Sequence, residues 1–377
     1  MPNFIFAAII MLSVYAGSNY YIAKRAYQWF NLISVNINWK IFAVIYICIA
    51  FSIVFGFLPV PSGIRRIINW ISAYWMGVYL YLLMFILLAD MGCLLGSFIK
   101  LIPKPVPHNI HFFAGLMVVV LTAGLICYGA YNATRPKHVS YTVQLDNPLP
   151  HEMNIVLISD LHLGAVNSEK NLSGIVREIN ALEPDIVCIA GDIFNDNFNA
   201  IRSPSEAMDL LKSITAKYGV YACLGNHDGG KSFNEMTSFL ERCGIKLLND
   251  EYAIIDNRIV LFGRVDSSPI GGFGGLKRKD ITETINSKGN DLPVVVMDHN
   301  PSNIKQYGNE ADMLLSGHTH RGQIFPANLI TRALFTVDYG HYQKDGGPHV
   351  IVTSGAGTWG MPMRIGTNNE IVSITLR

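Results

Sequence analysis

Two patterns of apolar and polar positions divide the chain. Over residues 4–22, 41–60, 71–99 and 112–131 apolar side chains run almost without interruption and leave no polar face. Each run is long enough for a helix across a bilayer core, which needs roughly 20 apolar residues. Tyr20, Tyr21, Trp29, Trp39, Trp70, Tyr74 and Trp75 gather near the ends, where amphipathic rings favour the membrane–water interface. Four membrane helices within residues 1–138 are therefore expected. The first run has no positive stretch ahead of it and no clear small-residue cleavage site, so it reads as a retained helix.

From residue 154 short apolar runs alternate with amphipathic stretches. Residues 155–159 and 185–190 read as buried strands. Between them, 169–182 sets Leu172, Ile175, Val176, Ile179 and Leu182 on one helical face. Ser203-Pro204-Ser205-Glu206 and Ser232-Phe233-Asn234-Glu235 have the spacing of helix-opening capping boxes, and Gly244 closes the second helix. Residues 252–256, 258–262, 294–297, 313–316, 350–353 and 371–376 read as further strands. Strands with helices, then many strands, predict an α/β domain over residues 154–377: a two-layer β sandwich with outer helices (αββα). Residues 139–153 read as a linker, and the Gly-rich basic segment 267–279 as a mobile loop near the site.

Composition sharpens this division. Half of the 377 residues are hydrophobic, and charge is spread unevenly. Residues 1–138 hold nine Lys and Arg and a single acidic residue, Asp90; the remainder holds 20 Lys and Arg against 27 Asp and Glu. A near-neutral total thus conceals a basic apolar half and a mildly acidic polar half. The latter has no basic stripe, which excludes nucleic acid as a partner. Six cysteines occur without CxxC or regular spacing, so neither a disulfide framework nor a zinc knuckle is expected. Lys24, Arg25, Lys40, Lys100 and Lys104 fall across the membrane from the polar half, and Arg65, Arg66, Arg135 and Lys137 on its side. Five against four leaves the orientation open. Asp90, with Gly92 and Gly96 beside it, reads either as part of a helix-packing face or as a functional ionisable group.

The polar half carries its chemistry in short segments. They read Ser159-Asp160-Leu161-His162, Gly191-Asp192, Gly225-Asn226-His227-Asp228, Asp298-His299-Asn300 and Gly317-His318-Thr319-His320. Each follows a strand-like run, so each is expected at a strand end. In extended chain the pairs Asp160/His162 and His318/His320 share one face. Carboxylate, amide and imidazole donors without thiolate suit Mn, Fe or Zn, and their convergence from several strands points to a metal centre.

Residues 154–377 resemble the calcineurin-like metallophosphoesterase superfamily, above all its bacterial membrane-associated branch, with enzymes of the UDP-2,3-diacylglucosamine pyrophosphatase type. SDLHLG, GDIFND, LGNHD, MDHNP and SGHTHRGQ carry the likeness, together with Thr353-Ser354-Gly355-Ala356-Gly357 and Met361-Pro362-Met363-Arg364. The resemblance implies two divalent metal ions, Mn or an Fe/Mn pair first and Zn as a further option. Asp160, His162, Asp192 and His320 would hold the first; Asp192, Asn226, His299 and His318 would hold the second, with Asp192 bridging. His227 would face the phosphate as proton donor or oxyanion stabiliser. Many relatives orient that histidine with an Asp three residues after the bridging one. Here the position is Asn195, followed by Asp196, so Asp196 or Asp228 is expected to serve. Arg321 replaces a frequent Gly, as a phosphate contact or a solvated rim residue.

The expected function is a membrane-anchored phosphoesterase cleaving a phosphoester or pyrophosphate bond of a lipid-linked substrate, in a bacterial plasma (inner) membrane. Phe194, Phe198, Phe273 and Trp359 lie near the motif loops as candidate acyl-chain contacts or as plain packing. The alternatives are a phosphodiesterase for soluble nucleotides that uses its helices only as an anchor, and a membrane sensor or transporter with a regulatory hydrolase domain.

Overall fold

The computed structural model describes residues 2–33, 37–56, 58–167, 169–280, 292–308, 310–344 and 346–377, which form two compact units, Met1–Tyr128 and Gly129–Arg377. The first is helical, with α1 (Pro2–Leu32), α2 (Trp39–Ala50), α3 (Ser52–Phe55), α4 (Ser62–Phe98) and most of α5 (His108–Ala133). Among the described residues three helices are long and apolar enough to cross a membrane, over Phe6–Leu32, Gly63–Phe98 and His108–Ala133. Their apolar side chains face outward in large part, among them Leu12, Leu94 and Val120. The expected second span is shorter. α2 stops after 12 residues at Phe51, whose φ of −99° and ψ of 14° lie off the helical values. Gly56, Pro59 and Pro61 then prevent a long continuation.

α1 runs past the end of its apolar stretch and takes in Lys24 and Arg25, which the charge pattern assigns to a loop. The extension is stable because Arg25 is paired. Its Nε donates to Asp90 Oδ2 at 2.8 Å, and the Tyr21 hydroxyl donates to the same oxygen. Asp90 is therefore the acid of an ion pair between α1 and α4.

The second unit contains two six-stranded mixed sheets. One has the order β1 (Lys137–Val143), β12 (Glu370–Leu376), β2 (Met153–Ile158), β3 (Ile186–Ala190), β4 (Val220–Cys223) and β5 (Lys246–Leu247). The other has the order β10 (Gly340–Gln343), β11 (His349–Val352), β9 (Met313–Ser316), β8 (Val294–Met297), β7 (Ile259–Gly263) and β6 (Glu251–Ile255). Strands β2, β3 and β4 run parallel, as do β7, β8, β9 and β11.

Side-chain alternation builds the layers. Ile155 and Leu157 of β2 join Cys188, Leu261, Val295, Met313 and Ile351 in a core between the sheets. Val156, Ile158, Val187 and Ile189 point the other way, beneath helices α6 (Glu169–Ala181), α7 (Pro204–Lys212) and α8 (Phe233–Arg242). On the far side Val260, Phe262, Val296 and Leu314 pack with Tyr307 and Val337.

Two local expectations change. Neither Ser203 nor Ser232 caps its helix through the side chain; the Ser203 N–H donates instead to the Glu169 carboxylate, at 2.6 Å. Residues 139–143 of the expected linker belong to β1, an edge strand paired in parallel with β12. Only Val139, Tyr141 and Val143 of it turn toward the core, too few apolar positions to mark a strand by composition. At the end of α8, Gly244 takes a left-handed φ of 76°, as a helix-closing glycine does.

Candidate metal centre

Every predicted ligand stands just beyond the carboxyl end of a parallel strand, in loops following β2, β3, β4, β8 and β9. That is where open α/β sheets place their sites. Main-chain hydrogen bonds stitch these loops together. Asp160 N donates to Gly191 O, His162 N to Asp192 O and Gly317 N to His299 O, each at 3.0 Å. Two glycines make the approach possible. A Cβ on Gly225 would strike the Asp192 carboxylate and amide, and one on Gly317 would strike Ser159 Oγ and the Asp160 carboxylate.

The extended geometry expected for Asp160-x-His162 and His318-x-His320 does not occur. Asp160, His162, Asp192, His318 and His320 all lie in the left-handed region, with φ of 55°, 45°, 51°, 70° and 48°. Such conformations cost roughly 1–3 kcal/mol each and persist where surrounding contacts over-determine them. The loop hydrogen bonds above, with the His318 N–H donating to both Asp160 oxygens at 3.1 and 3.2 Å, provide that constraint. Each side chain reaches inward because its backbone turns sharply at the end of the strand.

The side chains converge as two clusters, Asp160–His162–His320 and Asp192–His299–His318, within each of which the donor atoms lie within 4.8 Å of one another. His320 Nε2 is 3.3 Å from Asp160 Oδ1 and 3.1 Å from His162 Nε2. His162 Nε2 also lies 3.6 Å from Asp192 Oδ2, and His299 Nε2 lies 3.1 Å from that same oxygen. Asn226 Oδ1 completes the second cluster, 2.9 Å from His318 Nδ1. All seven predicted ligands are thus brought together, with Asp192 between the groups.

The electrostatics call for cations. His299 Nδ1 faces the Ala190 carbonyl at 2.7 Å and so carries the proton. In the neutral ring Nε2 would set a lone pair against the Asp192 carboxylate 3.1 Å away, so this nitrogen must either take up a proton or face a cation. A positive charge between them resolves the conflict, and this is the outer-shell arrangement of a metal-ligating histidine. Burial resists charge on His299, but the carboxylates of Asp192 and Asp160 outweigh it and hold the imidazole well above its usual range. Burial also opposes the charge on Asp192, yet facing His299 and His162 keep that carboxyl well below the carboxylate range. For His162 and His318 burial dominates and pushes the rings down to about 3 and about 4, so both offer lone pairs at neutral pH. Buried carboxylate, imidazole and amide donors without thiolate fit a pair of hard or borderline divalent cations.

His227 stands beside these clusters, its ring 5.1 Å from that of His162. Its Nδ1 is 2.8 Å from Asp196 Oδ1, so Asp196 orients it across the departure at Asn195. Burial pulls the His227 pKa down, but the bond to Asp196 and the nearby carboxylates raise it overall. Asp228 has a different task. Fully buried, it accepts from the Phe194 and Gly225 N–H groups at 2.8 Å each and braces the loops that carry Asp192 and Asn226. Arg321 stacks over Tyr339, 4.1 Å from the ring centroid.

Of the aromatic candidates, Phe194 and Phe273 are core residues and Phe198 packs on Phe194 and Phe239; Trp359 alone is half exposed, 5.8 Å from the His227 ring. The expected mobile loop 267–279 is pinned. Arg278 donates to Asp298 at 2.6 Å, Lys279 N to Asp250 at 2.7 Å, and Ile270 N to the Asn226 carbonyl at 2.8 Å.

Sequence reasoning missed Arg364 as a working residue. Fully buried, it donates to the His320 carbonyl at 2.7 Å and lies 3.1 Å from His320 Nδ1, while bonding Ser354 O, Gly357 O and Asn369 Oδ1. Its only signal was its place in the tail motif Met361-Pro362-Met363-Arg364.

The arrangement has relatives. Residues 153–322 match the family model described as calcineurin-like phosphoesterase. A transmembrane protein with metallophosphoesterase domain from Danio rerio is 30% identical over 325 residues, 80% of this chain and 72% of that protein. A metallophosphoesterase of Campylobacter jejuni is 27% identical over 99% of both chains. For one from Helicobacter pylori, 30% identical over 248 residues, the match spans 64% of either chain. With this geometry and these relatives, the chain belongs to the calcineurin-like metallophosphoesterases, metal-dependent hydrolases of phosphoester bonds.

Proposed function

We propose that the chain is a membrane-anchored dinuclear phosphoesterase whose substrate is a lipid-linked phosphoester or pyrophosphate. The observation that carries the two-metal reading is the position of Asp192 Oδ2, within 3.6 Å of His162 Nε2 and 3.1 Å of His299 Nε2. Asp160, His162, Asp192 and His320 would hold one ion, and Asp192, Asn226, His299 and His318 would hold the other. Two divalent cations supply Lewis-acid polarisation of the phosphoryl oxygens and lower the pKa of the attacking water. The donor set suits Mn, Fe or Zn, and the family likeness puts Mn or an Fe/Mn pair first, with Zn as the alternative. His227, held by Asp196 and with its pKa raised by that bond and the nearby carboxylates, donates a proton to the leaving oxygen. Ser159 donates to Asp160 and keeps that carboxylate turned inward.

Membrane anchoring is supported by the three long apolar helices and by relatives named transmembrane proteins. We include α2 and α3 together as a fourth, kinked crossing. The bacterial relatives support a bacterial plasma membrane. A lipid-linked substrate is supported by chain connectivity. Residues 134–136 alone separate α5 from β1, so the catalytic unit is tethered by a very short segment.

The test is hydrolysis of bis(p-nitrophenyl) phosphate by the full chain in detergent with Mn added, together with bound-metal content. Asp192→Ala is expected to lose metal and at least about 10³-fold in turnover, since one removed electrostatic contact commonly takes 10²–10³-fold. Unchanged turnover would overturn the two-metal reading. Comparing phospholipid-linked with soluble nucleotide diesters then decides the substrate class.

A further inference from the structure

Helices α6, α7 and α8 bury apolar residues such as Ile179, Leu211 and Phe239 in the core. That is the ordinary arrangement of an amphipathic helix on a water-soluble domain. Helix α9, Ala327–Leu334, is also strongly amphipathic but is inverted, and none of its residues is buried. Leu329, Ile330 and Leu334 are 57%, 58% and 75% exposed. The half-buried side is the polar one, where Thr331 Oγ1 donates to Asn328 O and to Asp338. Residues 329, 330, 333 and 334 form one continuous outward stripe at helical spacing, flanked by the exposed Arg332.

This stripe borders the metal centre. Gly322, two residues after His320, admits the first turn of α9, because a Cβ there would strike the backbone of Ala327 and Asn328. Phe335, just past the helix, meets the His318 ring at 6.0 Å between centroids. Gln323 Nε2 donates to the carbonyls of Trp359 and Met361 at 2.9 and 2.8 Å, tying the half-exposed Trp359 to the start of α9.

We propose that the outward face of α9, with Trp359, docks on the lipid bilayer at the boundary between headgroups and acyl chains. Contiguous exposed apolar surface on a folded domain marks an interaction site. The polypeptide itself identifies the occupant. Its described residues include three membrane-length helices, and the last of these ends at Ala133, a reach of at most about 15 Å from β1 at 3.8 Å per residue. A short amphipathic helix with Leu and Ile outward, Trp beside it and Arg at its flank has the composition of an interfacial helix, the cations meeting lipid phosphates. Docking there would present the metal centre to phosphoesters at the level of the headgroups. The inference rests on the membrane anchoring proposed above and not on which phosphoester is cleaved.

Nitroxide labels at Ile330→Cys and Leu334→Cys in the full chain, with Cys48, Cys93 and Cys127 changed to Ser, test this in bilayer discs of mixed neutral and anionic phospholipid. Collision with oxygen is expected to exceed collision with an aqueous nickel chelate at both positions, reversing the ratio found at the exposed Glu241→Cys on α8. A water-like ratio at 330 and 334 would overturn docking. So would protection from both reagents with spin–spin broadening, which would make a second copy the occupant. A label at Val120→Cys in α5 separates the two readings: a lipid-like ratio there with water-like ratios on α9 rejects docking alone, while a water-like ratio there rejects the anchoring as well. A Leu329→Ser/Ile330→Ser variant is expected to keep its aryl phosphodiester turnover in detergent, which leaves the metal centre outside the outcome.

Discussion

Both units set carboxylates among their own side chains, Asp90 only partly buried and Asp160 and Asp192 fully so, and they treat them in opposite ways. In the helical unit Asp90 receives two nitrogens of Arg25 and the hydroxyl of Tyr21, so its charge is cancelled by its own neighbours. In the catalytic unit Asp160 and Asp192 face histidines, three of which burial holds neutral. The first set is closed; the second has lone pairs converging on unfilled charge. Burying an ionised carboxylate without full compensation is expensive, and among the ligand histidines Asp160 and Asp192 have only the charge of His299 to share, so the set calls for a cation from outside. The difference separates a structural ion pair from a metal centre without reference to sequence motifs.

The largest effect that would break this comparison concerns His227. If it acts on substrate and not on metal, His227→Ala should lower kcat by about 10²–10⁴-fold, the range of a lost general acid, while bound metal stays at the wild-type level. Loss of metal from His227→Ala would place it in the ligand set instead. Arg364→Ala is expected to be milder. Removing an outer residue that holds a ligand typically weakens metal affinity by about 10–100-fold. Titration of the chelated protein with Mn would show this as a raised half-saturation point, with turnover recovered at high metal. Full loss of fold would instead make Arg364 a core strut.

The motif-bearing part of the site was legible because its signals are local. Asp160, Asp192, Asn226, His299 and His318 each follow an apolar run that forms a strand, and residues 294–297 and 313–316 form β8 and β9 at the expected positions. The left-handed backbone of five ligands was not legible, since it is imposed by hydrogen bonds between loops far apart in sequence. Arg364 was missed as a support for the same reason, as it meets His320 across 44 residues of chain. Amphipathicity at α9 is silent about direction, because the same spacing serves a helix facing a core and one facing lipid. β1 escaped because an edge strand needs apolar residues on one face only.

A smaller effect tests the open character of the catalytic carboxylates. Burial pushes the Asp160 carboxyl up to about 6, above its unfolded value near 3.9, although His299 works the other way. Charged Asp160 therefore opposes folding of the metal-free protein. The penalty is absent below about pH 4, grows as pH rises through the folded pKa, and is complete above it. Asp160→Asn should raise the stability of the chelated protein at pH 8 by about 1–3 kcal/mol and leave it nearly unchanged at pH 4. Thermal melts in chelator at both pH values would check the difference. Equal melting temperatures at pH 8 would mean that the carboxylate is already compensated, as Asp90 is.

The smallest effect belongs to the closed pair. Arg25 and Asp90 are both partly exposed, so their coupling should be near the 0.2–1 kcal/mol typical of such pairs, about 1 kcal/mol at most. Arg25→Leu and Asp90→Leu each leave one charge among apolar helices, whereas Arg25→Leu/Asp90→Leu removes both. Self-compensation predicts that the double variant is more stable than the sum of the two single losses, a non-additivity that a thermal double-mutant cycle in detergent measures. It also predicts unchanged aryl phosphodiester turnover in all three, because the pair neutralises itself and has no charge left to contribute elsewhere. Strict additivity, or a turnover loss in Asp90→Leu that Arg25→Leu does not share, would move Asp90 from the closed class to the open one.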